Sequence, residues 1–220
     1  MLVYNFTIKG LKTMEDKRQE FIDLLRQNVH REGLDKFLEW LDTTDFFTAP
    51  ASTKFHSNYE GGLCQHSINV FNRLVKLLKS EYGDDWINHC SLESATLMGL
   101  LHDICKVNTF VKETRNVKEY HDFGTKQDSK GKFDWTEKEV YSVEDSLPYG
   151  HGEKSVYILT GFFKLSRMEA MAINWHMGGF DYRVKGGSYA LSDVFYNYPV
   201  AFLLHNADMQ ATYLDETCRK

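Results

Sequence analysis

Apolar residues recur at intervals of three and four along most of this chain, the period of helices with one buried face. From about Met14 to His30 the pattern runs through Phe21, Ile22, Leu24, Leu25 and Val29, and GLDKFLEWLDTT continues it to near Asp45. DFFTAPASTKFHSNYEGG interrupts it with proline, serine and a glycine pair and predicts a loop. In LCQHSINVFNRLVKLLKSEY one face carries His66, Val70, Leu74, Leu77 and Leu78. SLESATLMGLLHDICK is apolar all round, which predicts a central, buried helix, with Ser91 as N-cap and Glu93 in the first turn. Ser94, three residues after Ser91, rules out a capping box there.

Residues 107–147 change character: TFVKETRNVKEYHDF and DWTEKEVYSVEDS are charged and aromatic, with glycine between them, and predict an inserted β-hairpin. Helical period resumes in GEKSVYILTGFF and in SRMEAMAINWHM, where Ser166 and Glu169 form a capping-box pattern. GGFDYRVKGGSY reads as a glycine-rich loop, and YPVAFLLHNADMQATYLDE as a long, largely buried closing helix. The first dozen residues alternate weakly through Leu2, Tyr4, Phe6 and Ile8, as a short strand or an ordered tail would. The expected architecture is mostly α: a helical extension over 1–45, then one helical domain over 46–220 carrying the hairpin.

With 42% hydrophobic and 26% charged residues the composition is that of a globular protein, and a net charge of −5 gives no global bias toward nucleic acid or anionic membrane. No apolar run approaches the roughly 18 residues of a membrane span, and the N-terminus lacks a signal-peptide layout. Cys64, Cys90, Cys105 and Cys218 are scattered without a CxxC, which predicts reduced thiols in a cytoplasmic protein and no zinc ribbon.

Four of the nine histidines, His66, His102, His151 and His176, fall in or at the end of apolar helices, and Asp208 sits inside LLHNADMQA. A buried imidazole or carboxylate needs a partner, a hydrogen bond or a metal. Each alone suits a satisfied core residue, but together they would require five separate explanations.

The order His66, His102-Asp103, Asp208 resembles the H…HD…D signature of the HD-domain metal-dependent phosphohydrolases. GGLCQHSINV and GLLHDICK resemble that family's first two motifs, YGHGEKSVYIL and AINWHMGG its two further histidine stations, and LLHNADMQA its closing aspartate helix. Within the family the chain is similar to short HD hydrolases of Gram-positive bacteria and their phages. FFTAPASTKFHSNYEGGLCQHSINV is similar to the HD portion of bacterial 3′-to-5′ exoribonucleases. The likeness spans about residues 45 to 216.

The resemblance implies an HD-domain helical bundle holding one or two divalent cations (Mn, Fe, Co, Ni, Zn or Mg). His66, His102, Asp103 and Asp208 would bind the first, and Asp103 would bridge to a second held by His151 and His176. Imidazole and carboxylate donors together suit the borderline first-row metals among these, Mn, Fe, Co, Ni and Zn. The implied chemistry is in-line attack on phosphorus by a metal-activated water, with Asp103 central to it. Consecutive side chains at a helix end splay about 100° apart, so His102 and Asp103 can serve different positions.

Lys106, one turn beyond His102, is a catalytic candidate that would contact phosphate or orient a ligand carboxylate, or else only complement the helix dipole. His56, Lys154, Arg183 and Lys185 are substrate-side candidates, the last two as a phosphate clamp in a flexible loop. His205 reads as a core or supporting partner, and His30, His89 and His121 as surface residues.

The implied substrate is a nucleotide or other small phosphorylated metabolite. Cleavage of short single-stranded nucleic acid is the nearest alternative, yet the exoribonucleases carry a five-stranded OB-fold that the helical residues 1–45 do not supply. A di-iron oxygenase and a binding module with a vestigial site complete the alternatives. Neither membrane association nor a particular oligomeric state is indicated.

Overall fold

The computed structural model describes residues 13–216; the alternating segment at Leu2–Ile8 and Cys218 lie outside them. Helix α1 (Met14–Asn28) begins at Thr13, whose hydroxyl accepts from the Asp16 N–H while the Asp16 carboxylate accepts from the Thr13 N–H. With α2 (Leu34–Leu41) it contributes Phe21, Leu25, Phe37 and Leu41, all fully buried, to the same core as the helices that follow. Fully burying one such side chain contributes about 1.5–3 kcal/mol.

The centre is α3 (Gly62–Tyr82), with Leu63, His66, Val70, Leu74 and Leu78 inward. A short α4 (Trp86–His89) leads to α5 (Leu92–Leu101), which is buried over nearly its whole length and is capped by the Ser91 hydroxyl on the Ser94 N–H. Helix α5 lies so close to α3 that a Cβ on Gly99 would stand 2.6 Å from the Phe71 Cα. This approach brings His66 and His102 together.

The insertion forms three strands rather than a two-stranded hairpin: β1 (Phe110–Tyr120), β2 (Lys126–Asp128) and β3 (Gly131–Val143), antiparallel in the order β1-β3-β2. Phe110 pairs with Val143 and Tyr120 with Phe133, while Lys126 to Asp128 return along the other edge of β3. The three polar residues of β2 carry no alternation to read. Asp128 holds them by accepting from Lys118 Nζ at 2.5 Å and Tyr120 Oη at 3.0 Å.

Beyond the sheet come α6 (His151–Thr160) and α7 (Arg167–Trp175), the latter with the expected Ser166/Glu169 capping box. The segment expected as a glycine-rich loop contains a one-turn helix, α8 (Tyr182–Lys185), capped by Asp181 on the Arg183 N–H. Helix α9 (Ala190–Asn197) is a further element, with Leu191, Val194 and Phe195 on one face, Val194 buried and the other two half-buried against the core. The closing helix is α10 (Pro199–Gln210), with proline at its tolerated first position, continued by a π-helical turn over Ala211–Asp215. Helix α10 packs on α3 and α7, and α6 on α7. Among the described residues no helix is long and apolar enough to cross a membrane.

Candidate metal centre

The ends of α5, α6 and α7 meet the flanks of α3 and α10 at one cluster. Helix α5 stops at His102, whose N–H donates to Met98 O, and Asp103 leaves helical geometry at φ −100, ψ 17. The adjacent side chains therefore diverge, and the Asp103 carboxylate divides between two groups of imidazoles. Its Oδ2 lies 3.4 Å from His66 Nε2 and 3.6 Å from His102 Nε2. Its Oδ1 lies 2.7 Å from His151 Nε2 and 3.4 Å from His176 Nε2. Asp208 Oδ1 stands 3.3 Å from His66 Nε2, and the His66 and His102 Nε2 atoms are 3.3 Å apart.

Main-chain carbonyls fix two of the rings. A carbonyl can only accept, so His102 Nδ1 donates to Gly99 O at 3.0 Å and His176 Nδ1 donates to Ile173 O at 2.6 Å. Both Nε2 lone pairs then face the cluster. Burial drives the His102 pKa down to about 3, keeping it a neutral donor. His176 Nε2 is buried without a hydrogen-bond partner. An orphaned lone pair beside a carboxylate oxygen costs about 1–3 kcal/mol unless a cation lies between them. The donors thus fit divalent cations on both sides of Asp103.

The carboxylates agree with that fit, while His66 and His151 have raised pKa values, so without a metal they hold protons that a bound cation would displace. Burial opposes ionisation of Asp103, but Lys106 and the surrounding histidines hold its carboxyl well below the usual range. Asp208 is lowered in the same way, against burial, chiefly by its hydrogen bond with His66. On His66, burial is outweighed by Asp103, Asp208 and Glu216, so its pKa is raised. Lys106 Nζ contacts Asp103 Oδ2 at 2.6 Å and donates to Ala51 O at 2.7 Å, which ties the loop before α3 to the Asp103 carboxylate.

Two cluster members carry no sequence signal. Glu216, just past the π-helical turn, accepts from His66 Nδ1 at 3.0 Å, Asn69 Nδ2 at 3.0 Å and Ser57 Oγ at 2.9 Å. Burial would raise its carboxyl, but His66 and the other donors bring it to about 2. Glu216 thus orients His66, and it also groups with His56 and His66 within metal-binding reach. The Cys105 sulfur lies 3.5 Å from both His151 ring nitrogens and groups with Asp103 and His151. The scattered cysteines gave no reason to expect it there.

The substrate-side candidates separate. The His56 ring sits 4.9 Å from that of His66, its Nε2 is buried without a partner, and burial lowers its pKa to about 4. Lys154 is buried and committed to Asp145 Oδ1 at 2.6 Å, with Thr109 Oγ1 at 3.5 Å. Arg183 is no free loop cation. It pairs with Asp181 at 2.7 Å and Glu153 at 2.8 Å, donates to Asn174 O, and stacks 3.9 Å over Trp175. Lys185 is exposed on the same turn.

His205 Nδ1 donates to His176 O at 2.7 Å, and its ring fills the space a Cβ on Gly178 would need (φ +53). His205 therefore braces the turn after His176. His30, His89 and His121 are exposed, His89 stacked on Tyr82 and His121 paired with Asp134.

The cluster is accessible unevenly: the side chain of His151 is 29% exposed and that of Asp208 14%, whereas Asp103 is 3% exposed. Comparison of the chain with family models, curated proteins and solved structures finds no match.

Proposed function

We propose that this chain is a divalent-metal-dependent phosphohydrolase of the HD type, cleaving a phosphate ester or anhydride of a small phosphorylated metabolite such as a nucleotide. The division of Asp103 between His66/His102 on Oδ2 and His151/His176 on Oδ1 carries the reading. A carboxylate shared in this way suits a dinuclear centre. His66, His102, Asp208 and Asp103 Oδ2 would hold one cation; His151, His176 and Asp103 Oδ1 the other.

Divalent cations bound there would polarise a phosphoryl oxygen and acidify a water. The chain's own residues do the rest. Glu216 and the Gly99 and Ile173 carbonyls hold three imidazoles in the donating tautomer. Lys106 keeps Asp103 ionised and oriented. His151 and Asp208, as the exposed members, mark the side from which substrate approaches.

Metal analysis joined to a hydrolysis screen of nucleotides, cyclic dinucleotides and short oligonucleotides with Mn, Co, Ni and Mg tests the proposal. His102→Ala and Asp103→Ala should lose both metal and activity; full retention of both by either variant refutes it. Turnover of oligonucleotides alone would favour the exonuclease reading. Oxygen consumption by an iron-loaded protein inert to phosphates would favour the oxygenase.

A further inference from the structure

We propose that the pocket between the start of α6 and the turn after α7 is the leaving-group subsite of this centre. It would hold a planar aromatic group against Phe180 and Tyr182 and an accompanying negative charge at Lys185. The proposal rests on the phosphohydrolase reading above and gives that site its substrate class: phosphate esters with an aromatic or heteroaromatic leaving group.

Position is the first argument. The pocket has a volume of about 320 Å³, and His151 forms part of its wall. His151 is also the most exposed member of the metal cluster, with Nε2 at 2.7 Å from Asp103. A molecule in the pocket is therefore next to the accessible side of the centre. A wider depression of about 770 Å³ near Arg31 and Lys36 contains none of the cluster residues. The volume suits one small molecule rather than a strand.

Composition is the second. Phe180 is 48% exposed and Tyr182 83% exposed, an arrangement that leaves large ring surface in water. Lys185 Nζ lies over both rings, 5.8 Å from Phe180 and 5.5 Å from Tyr182. Aromatic faces capture flat rings by stacking whatever their edge chemistry, and a nearby ammonium adds attraction for an anionic substituent.

The third argument removes the competing clamp. Arg183 also borders the pocket, but Asp181, Glu153 and Trp175 already engage its guanidinium on three sides. It braces the turn that carries the two rings. Among the described residues no ion pair is formed by Lys185, so it is the cation on this turn left for a ligand. Selectivity then comes from ring surface more than from charge. A sugar phosphate, equal in charge to a nucleotide but without a ring to stack, would bind poorly.

The test uses the metal-loaded protein. Adenosine, uridine and ribose, none of which can be hydrolysed at phosphorus, are titrated calorimetrically. AMP, UMP, p-nitrophenyl phosphate and ribose 5-phosphate are compared in steady-state turnover. The aromatic esters should show KM values about tenfold below that of ribose 5-phosphate, and adenosine or uridine should bind where ribose does not. The two nucleosides and the nitrophenyl ester separate purine, pyrimidine and simple aryl sources of the ring.

Phe180→Ala combined with Tyr182→Ala should raise KM for the aromatic esters about tenfold, and Tyr182→Phe should retain wild-type values. Metal content and thermal midpoint report that the variants are folded. Equal KM values for ribose 5-phosphate and the aromatic esters, or a double variant indistinguishable from wild type, overturn the subsite while the phosphohydrolase reading stands. Ring-dependent adenosine binding with no hydrolysis of these esters or of any anhydride or diester in the screen above overturns the phosphohydrolase reading, and the leaving-group role with it, and leaves an aromatic-binding pocket.

Discussion

Glu216 accepts a hydrogen bond from His66 Nδ1 at 3.0 Å, from a position that only the π-helical turn Ala211–Asp215 brings under α3. The same carboxylate receives Asn69 and Ser57, so it joins the closing helix, α3 and the preceding loop at the back of one imidazole. Replacing Glu216 with alanine frees His66 to rotate and to exchange tautomers. Metal affinity should then fall about 10- to 100-fold, as it does when such supporting partners are removed elsewhere. Glu216→Gln, which keeps an acceptor but not the charge, should fall between. Titration with a metallochromic competitor measures both, and unchanged affinity in Glu216→Ala would show that His66 is held without it.

Asp103 and His151 should be separable by stoichiometry. His151 contacts only the Oδ1 side of Asp103, whereas His66 and His102 lie on the Oδ2 side. His151→Ala should therefore lose one bound cation and keep the other, while Asp103→Ala should lose both. Elemental analysis after gel filtration gives the counts. Equal losses in the two variants would contradict a bridging role for Asp103.

The parts of this centre that the sequence disclosed are those whose polarity clashes with their helical surroundings. His66, His102, His176 and Asp208 stand out because imidazole and carboxylate interrupt apolar faces, and they do come together in space. Glu216 was hidden because a solvated acidic residue near a helix end is unremarkable until a π-helical turn rotates it inward. Arg183 misled in the opposite direction: loop composition suggested freedom, but its partners Glu153 and Trp175 are distant in sequence. The fold shows the same division. Long periodic helices were readable, while β2, three polar residues held by pairing with β3, carries no local pattern; α9 is short, and its apolar period spans only Leu191, Val194 and Phe195.

Gly99 should prove intolerant of substitution. A Cβ there would meet the Phe71 backbone at 2.6 Å and its own side chain at 3.0 Å, and backbone cannot move aside cheaply. Gly99→Ala should cost about 1–3 kcal/mol by overpacking. By spreading α3 from α5 it should also separate His66 from His102 and weaken metal binding. Urea unfolding and metal titration on the same sample check both; lost stability with intact affinity would mean that the two helices spread away from the centre.

Acid should weaken the structure at Glu169 in a way that one variant isolates. This fully buried carboxylate accepts from Arg31 at 2.6 and 2.8 Å, from Ser94 Oγ at 2.7 Å and from the Ser166 N–H at 2.7 Å. It thereby links the segment after α1 to the N-termini of α5 and α7. Burial alone would raise its pKa, but the donors prevail and the folded value lies below the ordinary 4.5. A carboxyl lowered on folding contributes stability that is complete above the unfolded value and lost as pH falls through the folded one. Arg31 is 22% exposed and keeps Glu93 at 3.2 Å, so Glu169→Gln should lose the charge-assisted part of these hydrogen bonds, about 1–3 kcal/mol at pH 7. The gap between wild type and variant should begin to narrow once pH falls below the unfolded carboxyl range and close only as pH falls through the lowered folded pKa, where protonation gives wild type the same neutral side chain. Urea unfolding of both proteins at pH 7 and at pH 3 measures the gap. A gap that stays constant across that range would show that Glu169 contributes through shape rather than charge.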